Sequence, residues 1–109
     1  MSDSDATKLQ LEEDERRHRR YEGRLEASLI IEGDSWRCWI RDISSGGAGI
    51  EPAIPAALGK EVRLSSPHFH FEGSLPGRVI NVARRRTCLT FDLDPPTHEK
   101  LMQFLSAVA

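Results

Sequence analysis

Arg16-Arg17-His18-Arg19-Arg20 sets four guanidinium groups within five residues. A guanidinium is a rigid planar fork of donors that keeps its proton, so the run suits an anionic partner with flat acceptor edges. Farther along, Arg41-Asp42-Ile43-Ser44-Ser45-Gly46-Gly47 contains the spacing Asp-x-Ser-x-x-Gly at Asp42, Ser44 and Gly47. On its own this reads equally as a binding loop or as an Asx turn with Gly47 at positive φ. His68 and His70 share one face of a strand, but no third ligand accompanies them, so no metal site is expected. Trp36 and Trp39 offer faces on which a base can stack, although aromatic residues on a strand are more often core. The chain has no Ser-His-Asp order, no carboxylate pair and no phosphate loop, and is read as a binding protein rather than an enzyme.

Composition bounds what can position these groups. A chain of 109 residues, 39% hydrophobic and 29% charged, fits one globular domain with its own core. The formal net charge of −2 conceals a local asymmetry, because residues 1–15 carry six acidic side chains and one lysine ahead of the arginine run. Away from that run there is no extended basic track, so neither DNA nor RNA is the expected partner. No apolar run approaches the roughly 18 residues that would span a bilayer. The acidic N-terminus is unlike a signal peptide, and a cytoplasmic location without membrane insertion is expected. Cys38 and Cys88 lie outside any Cys-x-x-Cys pattern and are read as reduced thiols.

The elements follow from periodicity. Residues 1–15 form a flexible acidic segment, with a frayed helix or none. If helical, it would pair Glu12 with Arg16, Glu13 with Arg17 and Glu15 with Arg19 at about 0.2–0.5 kcal/mol each. Residues 16–23 form an arginine arm. From Arg24 the pattern has period two: Leu25, Ala27, Leu29 and Ile31 alternate with polar or outward positions, and Gly33-Asp34 supplies a hairpin turn. The return strand, Trp36 to Ile43, places Trp36, Cys38 and Ile40 on one side and Trp39 and Ile43 on the other. Ala48 to Glu51 forms a short third strand, and Val62 with Leu64 a fourth. Phe69 to Val82 forms a long or bent fifth strand interrupted at Pro76-Gly77. The arginines at 84–86 form a solvated hairpin tip, and Leu89, Phe91 and Leu93 lie in a sixth strand. Asp94-Pro95-Pro96-Thr97 starts a helix whose Leu101, Phe104, Leu105 and Val108 recur at helical spacing. The expected fold is all-β with a C-terminal helix: a six-stranded antiparallel, split β-barrel over residues 24–93, capped by one helix over residues 95–108.

Taken together, Arg16-x-x-x-Arg20 before the first hairpin and Asp42-x-Ser44-x-x-Gly47 ending its second strand resemble the signature of the PilZ domain family, bacterial receptors for cyclic di-GMP. The resemblance covers roughly residues 15–107. It includes the Gly59 to Val62 run, the Gly77-Arg78-Val79 segment, the Phe91 strand and the C-terminal helix. Cys88 stands where the family often has glycine, Glu15 precedes the arginine motif, and Arg24 repeats the spacing from Arg20.

The resemblance implies a ligand site made of Arg16, Arg20, Asp42, Ser44 and Gly47. The arginines would grip guanine acceptor edges and phosphate, and Asp42 would accept from the guanine donors that adenine lacks. Ser44 would donate to a phosphate oxygen, and Gly47 would admit close backbone approach. Arg17 and Arg19 are either auxiliary phosphate contacts or a solvated face. A micromolar dissociation constant corresponds to about 8 kcal/mol. Four or five hydrogen bonds to charged groups at about 1.5–3 kcal/mol each can supply it. Ordering the arm opposes this by about 1–2 kcal/mol per residue, so binding is expected to be coupled to that ordering. No cofactor beyond this ligand is implied. Two readings stand: a cyclic di-GMP receptor and adaptor that signals to a partner protein, or a protein interaction module that binds no nucleotide.

Overall fold

The computed structural model describes residues 20–108, together with the backbone of residues 10–12. Its strands are β1 (Gln10–Glu12), β2 (Arg20–Ile31), β3 (Asp34–Ile43), β4 (Gly47–Glu51), β5 (Glu61–Ser65), β6 (Leu75–Ala83) and β7 (Arg86–Phe91), followed by helix α1 (Pro95–Val108). All pairings are antiparallel, in the order β1-β2-β3-β4-β7-β6-β5, and β2 also pairs with β5. That last pairing closes a six-stranded barrel and leaves β1 as an added strand. The N-terminal end of β2 pairs with β1 (Leu11 opposite Tyr21), whereas its C-terminal half pairs with β5 (Leu29 opposite Leu64).

Alternation explains the wall. Leu25, Ala27, Leu29 and Ile31 on β2 are buried, as are Val62 and Leu64 on β5, and Leu75 and Val79 on β6. Burying a side chain of this size contributes about 1.5–3 kcal/mol, so the period-two pattern fixes which face of each strand points inward. Helix α1 adds Leu101, Phe104 and Leu105 to the same hydrophobic cluster. Phe104 meets Phe69 edge-on at 5.2 Å between ring centroids, and His70 at 5.0 Å. The helix opens on Asp94, whose Oδ1 accepts from the Thr97 amide at 2.9 Å. The hydrogen bonds from Thr97 hold the Asp94 carboxyl below its ordinary value, with Lys100 adding a smaller push the same way.

Several expectations are corrected. The first hairpin turns at Glu32-Gly33, both at positive φ (51° and 87°), so Asp34 already belongs to β3, one residue earlier than the expected Gly33-Asp34 turn. Residues 66–74 form turns and bends rather than strand, and Phe69 serves the core from that loop. β6 starts at Leu75 and runs unbroken through Pro76 and Gly77, because Gly77 lets the Thr90 carbonyl approach where a Cβ would clash. The expected helix-or-coil leader is a strand over Gln10–Glu12, and β2 begins at Arg20, four residues before the expected start at Arg24. Neither tryptophan fills the core. Trp36 is exposed, and Trp39 lies half-buried on the outer wall under the guanidinium groups of Arg24 (4.6 Å) and Arg37 (5.4 Å).

Candidate functional site

A bulge in β3 creates the site. Simple alternation from Cys38 and Ile40 would point Asp42 inward and Ile43 outward. Between Ile40 and Asp42, however, β3 holds one residue, Arg41, where the facing β4 steps directly from Ile50 to Gly49. The extra residue reverses the phase. Ile43 therefore turns into the core, fully buried opposite Tyr21 and Ala48, and Asp42 turns onto the outer wall opposite Glu22 and Gly49. The expected placement of Ile43 on the side of Trp39 is thus corrected, and the same correction puts a carboxylate on the outside of the barrel.

Asp42 is nevertheless only 4% exposed. What covers it is charge. Arg20 Nη2 donates to Asp42 Oδ1, and Arg86 Nη1 donates to Asp42 Oδ2 at 2.9 Å. A carboxylate withdrawn from water needs both its oxygens engaged, and here each has a guanidinium. Gly49 makes the room: a Cβ there would lie 2.8 Å from Asp42 Oδ2 and 3.1 Å from Arg86 Cδ. Arg20 on β2, Asp42 on β3, Gly49 on β4 and Arg86 on β7 occupy four neighbouring strands, all on the outer face. Cys88, half-buried, shares that face as the register partner of Gly49. Cys38 lies in the core, where burial pushes its thiol up to about 12 and leaves it unreactive.

Ser44 closes the β3–β4 turn. Its amide donates to the Gly47 carbonyl at 2.8 Å, and its Oγ accepts from the Gly46 amide at 3.1 Å. The turn is pinned to β7, since the Gly46 carbonyl accepts from the Phe91 amide at 2.9 Å and from Thr90 Oγ1 at 3.2 Å. Gly47 is not at positive φ, which corrects the Asx-turn reading of that residue; the positive-φ glycines described are Gly33, Gly59 and Gly73. Gly47 is needed because the Leu89 carbonyl of β7 sits where its Cβ would be.

Of the sequence-expected site residues, the structure brings Arg20 onto Asp42 and sets Ser44 and Gly47 at the turn that follows. Arg16, Arg17 and Arg19 lie outside the described residues, as does the expected pairing of the acidic run with them. Arg24, which repeats the arginine spacing from Arg20, rests on Trp39 instead of Asp42. Two contributors were missed. The sequence places Arg86 with Arg84 and Arg85 in a solvated tip, but only Arg84 and Arg85 form the turn, and Arg86 opens β7 opposite Ala83. Gly49 carried no signal beyond being a glycine at even spacing from Gly47, on the same face of a short strand.

The fold is shared with solved structures. The PilZ domain of CeSA from a cellulose-synthesizing bacterium superposes with a TM-score of 0.67 at 18% identity, covering 81% of this chain and 96% of that one. The Bacillus subtilis inhibitor of motility, MotI/DgrA, gives a TM-score of 0.64 at 18% identity, covering 84% of this chain and 50% of its own. None of the curated proteins compared matches the chain. Both solved structures support the closed six-stranded barrel with a C-terminal helix. The PilZ domain family model matches residues 14–107, from just ahead of the arginine run almost to the end of helix α1, and the chain belongs to the PilZ domain family.

Proposed function

We propose that this chain is a cyclic di-GMP receptor and adaptor. Binding orders the arginine arm that leads into β2, and the altered surface is passed to a partner protein. The observation that carries the reading is the meeting of Arg20 and Asp42 on the outer wall, beside the turn that holds Ser44. Guanine is the base whose two edges match this pair: its N1 and N2 donors suit a carboxylate, and its O6 and N7 acceptors suit a guanidinium fork. Arg16 is assigned with Arg20 to guanine acceptors and phosphate, and the Ser44 hydroxyl to a phosphate oxygen. Gly47 holds the turn against β7 so that these groups keep their spacing. One structural neighbour is an inhibitor of motility, and a role exerted through a partner is the one assigned to this chain.

A second reading has an observation in its favour. Both oxygens of Asp42 are already held by arginines, as they would be in an ion cluster that merely ties β2, β3 and β7 together in an interaction module. Titration calorimetry with cyclic di-GMP separates the two. The receptor reading predicts saturable heat at micromolar ligand and loss of that heat in Arg20→Ala, with melting curves verifying that the variant, although less stable for the loss of a partner to Asp42, is still folded at the titration temperature. The absence of heat, with no ligand-dependent rise in melting temperature, would leave the interaction module.

A further inference from the structure

Arg86 stands outside both arginine and Asp-Ser-Gly motifs, yet it reaches the same carboxylate as Arg20. We infer that Arg86 is a third ligand-binding arginine of this site, one that exchanges Asp42 for an anionic or acceptor group of the bound cyclic dinucleotide. The inference rests on the receptor reading above and adds a residue to it.

The geometry gives three reasons. A guanine edge seated on Asp42 would direct its donors to the two oxygens that Arg20 and Arg86 hold, so it must share or take over those acceptor positions. The Arg86 side chain is 43% exposed against 28% for Arg20, and among the described residues its hydrogen bond goes to Asp42 through Nη1. It is therefore the guanidinium with more room to turn outward and with donors to spare. The third reason is charge. The three side chains Arg20, Asp42 and Arg86 sum to a charge of +1, with the exposed Glu22 as the register partner of Asp42 on β2, and once Asp42 is turned to guanine, the displaced cation lies beside a ligand carrying two phosphates. A planar fork accepts phosphate oxygens or the O6 and N7 of guanine with the same two parallel donors.

β7 delivers this residue by register. Arg86 opens the strand after the two-residue turn, and Cys88 continues the same outward face opposite Gly49. Arg84 and Arg85, two residues and one residue earlier, lie in the turn and are exposed.

The test is titration calorimetry with cyclic di-GMP on the full chain and on Arg86→Ala, each at low and at raised salt. Melting curves verify that the variant is folded. Binding by the parent chain, with Arg86→Ala about tenfold weaker or more and with a flatter loss of affinity as salt rises, is the expected result. A residue that only braced the fold would leave the salt dependence unchanged. Should Arg86→Ala fail to fold, Arg86→Gln, which keeps a donor for Asp42 but drops the charge, is measured by the same criterion. Equal or tighter binding by the variant, with the parent chain binding, would overturn the inference while leaving the receptor reading intact. No binding by the parent chain would overturn both.

Discussion

The two arginine runs, at 16–20 and 84–86, enter the fold in parallel ways. Each ends at the first residue of a strand, Arg20 opening β2 and Arg86 opening β7, and both terminal arginines lie on the outer wall against Asp42. They differ in how they arrive. Arg20 is flanked by β1 and held in a strand already paired on both sides, whereas Arg86 follows a tight turn in which Arg84 takes φ of 54°. The local density of charge says little about which arginine belongs to a site. Among the described residues, strand register decides which arginine meets Asp42: Arg20 and Arg86 stand on the outward phase of their strands beside the bulge of β3.

Removing the shared partner should have the largest effect on this pairing. Asp42→Asn keeps the shape but drops the charge that both guanidinium groups hold. Two charge-assisted hydrogen bonds weaken at once, and the variant is expected to lose cyclic di-GMP binding by about a hundredfold or more. Its unfolding free energy should fall by about 1–3 kcal/mol, measured by denaturant titration. A variant that kept wild-type affinity would detach both arginine runs from ligand recognition.

Crowding the carboxylate comes next. Gly49→Ala sets a Cβ 2.8 Å from Asp42 Oδ2, so the clamp must shift while the barrel itself is spared. Affinity is expected to fall about tenfold with a stability loss near 1 kcal/mol. Gly47→Ala sharpens the contrast, since there the clash is with the Leu89 backbone and β4 must part from β7. That variant should lose about 1–3 kcal/mol of stability in the same titration, more than Gly49→Ala. The smallest effect is expected from Arg84→Ala combined with Arg85→Ala. Both side chains are exposed in the turn, and calorimetry should find affinity within about twofold of wild type. A large loss there would mean that charge density, not register, recruits the arginines.

Much of the barrel is legible in the sequence, because inward positions on β2, β5 and β6 repeat every second residue and burial enforces that period. Helix α1 is equally plain from Asp94 onward, where a capping residue and two prolines precede apolar residues at helical spacing. The motif residues are also legible, since Asp42 and Ser44 end a strand that alternation identifies. The bulge at Arg41 is not. A single inserted residue leaves no compositional mark, and its effect appears only when β3 is laid beside β4. Arg86 is hidden for the same reason: three arginines in a row look alike until the pairing of Ala83 with Arg86 shows which two form the turn. Gly47 illustrates a third limit. Its type signals a backbone need, but the approaching Leu89 carbonyl comes from β7, far along the chain, which local turn chemistry does not reveal.

The central claim is that Asp42, set outside the barrel by the bulge and flanked by arginines from two strands, reads guanine. Parallel calorimetric titrations with cyclic di-GMP and cyclic di-AMP address it most directly. The two ligands share their phosphates and ring, and only guanine carries the adjacent N1 and N2 donors that one carboxylate can accept together. Saturable binding of cyclic di-GMP with at least about a hundredfold preference over cyclic di-AMP is the predicted result. Equal affinity for the two, or binding of neither, would contradict it.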